Sequence, residues 1–128
     1  MDILIDTHIF LWWDSQSSRL APHETDLIAK PENRIYVSAA SIWEIAIKRR
    51  LGKLSFSGSL VEAIRANSFV ELAMTGADCE AAGELAWTHS EPFDRMIVAQ
   101  AQRHHMTLIT ADEAMQAFIG VAVVSGAH

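Results

Sequence analysis

Four acidic residues in this 128-residue chain stand where acids can act together. They are Asp6, Glu44, Asp94 and Asp112. Asp6 ends the run Ile3-Leu4-Ile5, which has no polar alternation and reads as a buried central strand; the apolar spacing of Ile9, Phe10, Trp12 and Trp13 behind it is helical. Asp6 is therefore expected at a strand-to-helix junction, where open α/β sheets hold ligands. Asp112 repeats the pattern just past Thr107-Leu108-Ile109-Thr110. Asp94 follows Pro92, a favoured first-turn residue. Glu44 stands in mid-helix between Trp43 and Ile45, on a segment apolar on most sides, where a carboxylate needs a partner.

Each acid also has a purely structural reading. Asp6 can be a helix N-cap. Thr110 with Glu113 matches a capping box, which would make Asp112 a first-turn acid. Asp94 can complement the helix dipole, and Glu44 can pair with Lys48 one turn on. If the elements share one sheet, however, the four carboxylates converge and would repel one another, leaving at least one protonated. Bound Mg²⁺ or Mn²⁺ removes that conflict, because hard cations take oxygen ligands. No Cys/His grouping offers a zinc site, and His104-His105 read as surface residues.

The elements that must position these acids follow in order. Helices are expected from Thr7 to Trp13, from Pro22 to before Pro31, over Ala39 to Leu51 behind Ser38 and closed by Gly52, over Ser59 to Asn67, from Thr75 to Trp87, from Pro92 to about His104, and from Ala111 to Phe118. The Thr75–Trp87 helix is expected to turn Ala77, Ala81, Ala82 and Leu85 inward. Strands are expected at 3–5, 35–37, 69–72, 107–110 and 121–124. This alternation makes an α/β domain with a mainly parallel sheet, since parallel neighbours need crossover connections.

Composition bounds the rest. The length suits one domain, half the residues are hydrophobic and a fifth are charged, which places the chain with globular proteins. The lone Cys79 can form no internal disulfide and fits a reducing compartment. No leader precedes the first strand and no apolar run is long enough to span a bilayer, so the expected location is the cytoplasm, with no membrane partner. A net charge of −6, from 16 acidic and 10 basic residues, argues against a wide nucleic-acid grip. Lys48, Arg49, Arg50 and Lys53 nevertheless concentrate positive charge in one place.

These segments together resemble the PIN-domain ribonucleases, specifically the VapC-type toxins of toxin–antitoxin pairs. The resemblance is carried by 4–8 (Leu-Ile-Asp-Thr-His), 37–48 (Val-Ser-Ala-Ala-Ser-Ile-Trp-Glu-Ile-Ala-Ile-Lys), 51–54 (Leu-Gly-Lys-Leu), 92–96 (Pro-Phe-Asp-Arg-Met) and 108–112 (Leu-Ile-Thr-Ala-Asp), in the family's order across nearly the whole chain. It implies a PIN-like three-layer fold and hydrolysis of RNA phosphodiesters by metal-activated water. Asp6, Glu44, Asp94 and Asp112 would be the acidic quartet, with Thr7 and Thr110 as hydroxyl neighbours. For such a reaction, Lys48, Arg49 and Arg95 are this sequence's own candidates for guiding the RNA backbone. The resemblance further implies a small antitoxin seated on an apolar groove of the first helices, where Trp12, Trp13 or Trp43 could serve instead of filling the core, and a homodimer. Glu91 departs from the Asp common at that position, which bears on the surroundings of Asp94. An aspartyl phosphotransferase would need a second acid where His8 stands. A phospho-receiver would need an acceptor after the third strand, where Leu72-Ala73-Met74 offers none. A binding module with purely structural acids is the remaining alternative.

Overall fold

The computed structural model describes residues 1–118 and 123–125. Five parallel strands form one sheet in the order β3-β2-β1-β4-β5, with β1 at Asp2–Ile5, β2 at Arg34–Ser38, β3 at Val70–Leu72, β4 at Thr107–Thr110 and β5 at Val123–Ser125. The chain winds outward from β1 through β2 to β3, then returns to lay β4 against the other side of β1. Register pairs Ile5 with both Val37 and Ile109, so the carboxyl ends of three central strands finish level. The topological switch point falls between β1 and β4, where such sheets open a crevice.

The apolar run of β1 explains its central place. Ile3, Leu4 and Ile5 are fully buried, each contributing about 1.5–3 kcal/mol of transfer free energy. Successive side chains point to opposite faces. Ile3, Ile5, Ile35, Val37 and Ile109 pack against α1 (Thr7–Asp14), α2 (Pro22–Ala29), α3 (Ala39–Arg50) and α4 (Leu60–Ala66). Leu4 and Leu108 face Ile97, Val98 and Ala101 of α6 (Pro92–Arg103) and Met115 of α7 (Glu113–Gln116). Between α3 and α6, Ala40, Ala82, Met96 and Ala99 form a third cluster with α5 (Gly76–Glu84), small residues allowing the helices to approach. The result is a three-layer α/β fold, as the sequence indicated.

α3 ends as expected. Lys53 N–H donates to the Lys48 carbonyl and Gly52 N–H to that of Arg49, a Schellman closure that needs the positive φ of Gly52. Three expectations are corrected. α5 stops at Glu84 rather than Trp87, because Leu85 turns to an extended ψ and the carbonyls beyond are claimed by Arg95. Ala77 faces solvent while Asp78 takes the inward position. α7 spans Glu113–Gln116 instead of Ala111–Phe118, because Asp112 itself caps it and holds Ala111 outside the helix. Of the last expected strand, Val121 and Ala122 lie outside the described residues, while Val123 and Val124 are in β5.

Asp78 is an acid the sequence did not single out. It is fully buried, and burial alone would raise its pKa. The Gln100 amide, the Thr75 N–H, Arg103 and His104 all donate to it, and together they hold it below the ordinary carboxylate value. Its Gln100 partner also takes the Ser38 hydroxyl at 2.6 Å, while that Ser38 oxygen accepts the Ala40 N–H as the N-cap of α3. The polar chain thus ties α5, α6 and the start of α3 together through a buried network. Cys79 beside it is exposed and unpaired. Among the described residues no helix is long and apolar enough to cross a membrane.

Candidate active site

Local sequence places each acid. The strand-to-helix break after Ile5 makes Asp6 the N-cap of α1, its Oδ1 accepting the Ile9 N–H at 2.9 Å. Asp6 Oδ2 accepts the hydroxyl of Thr110, the last residue of β4, across the switch point. The same Thr110 oxygen accepts the Asp112 N–H at 3.0 Å, and Asp112 caps α7 through the Met115 N–H. Asp6 is thus the cap its structural reading expected, whereas the capping box expected of Thr110 and Glu113 is corrected: Asp112, not Thr110, is the N-cap of α7.

Glu44 comes from the first half of α3 and is 6% exposed. Its Oε1 takes a bond of 2.7 Å from Thr7, and its Oε2 pairs with the Lys48 ammonium at 2.5 Å. Thr7 also lies 2.9 Å from the Ser41 hydroxyl. A hydroxyl has one proton, so Thr7 gives its own to the carboxylate and accepts that of Ser41. Ser41, one turn before Glu44 and fully buried, was not foreseen as part of this cluster; its i−3 spacing is the signal that could have found it.

Asp94 sits in the first turn of α6. Glu91 caps that helix, its side chain accepting the Phe93 N–H at 3.2 Å and the Asp94 N–H at 2.6 Å. The extra methylene of Glu91, relative to Asp, is thus taken up in capping. His89 Nε2 lies 2.7 Å from Asp94 Oδ2, a contact that no periodicity announces because His89 belongs to an irregular loop.

Asp6, Thr7, Glu44, Lys48, Asp94 and Asp112 line one cavity of about 350 Å³, with His8, Glu91 and Ile97 completing the wall. Arg49 and Arg95 are not in that wall. Arg49 donates to the carbonyls of Phe56 and Gly58, holding the loop after α3. Arg95 donates to five carbonyls, those of Ala82, Gly83, Leu85, Trp87 and His89. Both guanidinium groups fasten the chain to itself. Among the tryptophans, Trp12 and Trp13 are half-buried against the core, with Trp13 Nε1 bonded to Asn67, while Trp43 is 56% exposed and makes a T-shaped contact with Phe93 at 5.2 Å between ring centroids.

The electrostatics reflect carboxylates gathered with little positive charge. Burial pushes Asp6 up to about 6, against the lowering effect of the Thr110 hydroxyl and Ile9 N–H, with a small further rise from Asp112. Burial also pushes Asp94 up to about 7; His89 opposes the rise, and Glu91 and Asp112 add to it. A cavity lined by acids that hold protons near neutrality is one that a divalent cation would discharge. The four acids offer carboxylate oxygens, which suit Mg²⁺ or Mn²⁺ rather than zinc. Among the described residues no three acids, histidines or cysteines are drawn within reach of a single ion. The set therefore fits a hard cation held by one or two carboxylates with water filling its other positions.

Residues 3–120 match the family described as the PIN domain. No curated protein matches the chain by sequence. Its fold is similar to solved structures that it covers almost end to end. VapBC2 from Rickettsia felis bound to a DNA fragment from their promoter has a TM-score of 0.68 at 14% identity, covering 98% of this chain and 99% of that one. VapBC-1 from nontypeable Haemophilus influenzae has a TM-score of 0.64 at 21% identity, covering 98% of both. A toxin–antitoxin complex from Klebsiella pneumoniae has a TM-score of 0.63 at 20% identity, covering 95% of both.

Proposed function

This chain belongs to the PIN domain family, and from that premise we propose that it acts, as a single cytoplasmic domain, as a divalent-metal-dependent endoribonuclease and the toxin of a toxin–antitoxin pair. One observation carries the reading: carboxylates from four separate elements line one cavity at the carboxyl ends of β1 and β4. When bound there, Mg²⁺ or Mn²⁺ supplies an activated water and stabilises charge developing on the phosphate oxygens.

The protein's own residues have distinct tasks. Asp6 and Asp94 are the principal ligands, supported by Glu44 and Asp112. Thr110 holds Asp6 and orders the Asp112 backbone, so one hydroxyl sets the spacing of two acids. Thr7, backed by Ser41, keeps Glu44 turned toward the cavity. Lys48 is the cation in the cavity wall, bound to Glu44 on one side and partly exposed on the other, and it is placed to meet an RNA phosphate. The exclusion of Arg49 and Arg95 from the wall leaves that task to Lys48. The test is cleavage of single-stranded RNA by the purified chain. Cleavage is expected with Mg²⁺ or Mn²⁺ and is expected to be lost with chelator; cleavage undiminished by chelator would overturn the reading.

Two partners follow from it. The cavity of about 410 Å³ lined by Trp12 and Trp13 of α1, Thr25 of α2, Leu20 between them and Asn67 at the end of α4 is where an antitoxin segment would lie, in keeping with the toxin–antitoxin complex among the similar folds. A second copy would cover α3. Trp43, Ile47 and Leu51 form one stripe at four-residue spacing, 56%, 37% and 62% exposed. In an antiparallel pair of α3 helices Ile47 would fall on the two-fold axis with Trp43 of each copy facing Leu51 of the other, so the stripe could be complementary to itself. Ile47→Asp is expected to give a monomer by sedimentation equilibrium. An unchanged dimer would remove this surface from the assignment.

A further inference from the structure

We propose that His89 is a positioning residue for Asp94: it binds one carboxylate oxygen from outside the cavity and so presents the other to the bound ion. The inference rests on the metal reading above and adds to it a residue outside the acidic quartet.

His89 Nε2 is 2.7 Å from Asp94 Oδ2, and both side chains are largely buried, 28% and 20% exposed. An ionised carboxylate only accepts, so against it Nε2 must carry the proton. Asp94 itself lines the cavity, and its other carboxyl neighbour, Glu91, can share a hydrogen bond with it only while one of the two acids is protonated, so against the ionised carboxylate His89 is the side-chain donor among the described residues. The Asp94 backbone is fixed independently, by the bond from its N–H to Glu91. Glu91 sets where the residue sits and His89 sets which way its carboxylate turns.

The ring is stacked on one face, and the loop that carries it is fastened through its backbone. Trp87 stacks on it with centroids 4.6 Å apart and planes 30° apart, and Trp87 meets Phe118 edge-on at 5.3 Å. The His89 carbonyl accepts a bond of 2.9 Å from Arg95 Nη1, and the Trp87 carbonyl one of 2.7 Å from the same nitrogen. Arg95 stands next to Asp94 in the chain, so the residue that folds the loop and the residue the loop serves share one helical turn. A surface ion pair would have neither the stacked wall nor the clamp, and such pairs contribute little. Carboxylates that bind metals are commonly held in this way by an outer hydrogen bond, whose loss weakens metal binding roughly 10–100-fold.

The test is the Mn²⁺ affinity of the purified full chain near neutral pH, read by the electron paramagnetic resonance of free Mn²⁺, with the thermal midpoint measured alongside. His89→Phe keeps a ring against Trp87 but has no donor; it is expected to weaken Mn²⁺ binding roughly 10–100-fold with the midpoint little changed. His89→Gln supplies an amide donor of similar reach and is expected to restore most of the affinity. Should His89→Phe not fold, His89→Asn, whose donor is too short to reach Oδ2, carries the same expectation. Wild-type affinity in His89→Phe overturns the proposal while leaving the metal reading intact, as does a Gln variant as weak as the Phe variant. Failure of the unaltered chain to bind Mn²⁺ overturns the metal reading, and this inference with it.

Discussion

Asp6→Asn is expected to abolish metal-dependent RNA cleavage, by at least on the order of 10³-fold, while making the metal-free fold more stable at neutral pH. Both halves come from the same surroundings. Asp6 is 4% exposed, and its pKa rises to about 6 because burial penalises the charged form more than the Thr110 and Ile9 bonds favour it. An acid whose folded pKa exceeds its unfolded value binds its proton more tightly when folded. The stability this provides is fully present below about pH 4 and is lost as pH rises through about 6. The rise from 3.8 to about 6 corresponds to about 3 kcal/mol. Asn is as good an N-cap as Asp and carries no titrating charge. Urea unfolding of the two proteins should therefore nearly coincide at pH 4 and separate by up to about 3 kcal/mol in favour of the variant at pH 8. Retained cleavage would remove Asp6 from the reaction, and superimposed unfolding curves at both values would refute the burial cost assigned to it.

Divalent cations should reverse that cost, and only where the acids are ionised. Metal binding displaces protons from its ligands, so affinity rises with pH. At pH 8 an excess of Mn²⁺ about 100-fold over its dissociation constant adds about 2.7 kcal/mol, which for a chain this size is roughly 10 °C in the thermal midpoint. At pH 5 Asp6 and Asp94, with pKa values of about 6 and about 7, both hold protons, and the same Mn²⁺ should move the midpoint by no more than a degree or two. Asp94→Asn should abolish the pH 8 gain. Equal stabilisation at both pH values would place the bound ion elsewhere on the protein.

The sequence by itself determined much of the frame. An unbroken apolar run in β1 required burial on both faces, Pro22, Ser38 and Gly52 marked helix ends, and alternation of strand and helix required a parallel sheet. Those signals are local, and the elements formed close to where they were expected. The acids were legible for the same reason: Asp6 and Asp112 close strands, Asp94 opens a helix, and Glu44 interrupts an apolar face. What remained open was whether each was a cap or a site residue; the structure makes Asp6 and Asp112 caps and sets both in the wall of one cavity.

Only the tertiary structure decided the rest, because it depends on contacts between residues far apart in the chain. Arg95 looked like a phosphate ligand until the fold brought five carbonyls around it, and those same bonds end α5 before Trp87. Trp43 looked like core until the packing of α3 against α6 left its ring in solvent. His89 lies in a loop without periodicity, so nothing before folding tied it to Asp94. Periodicity reports the side of an element a residue occupies; which charged group finds which partner is fixed by the sheet order that brings β4 beside β1 across a hundred residues of chain.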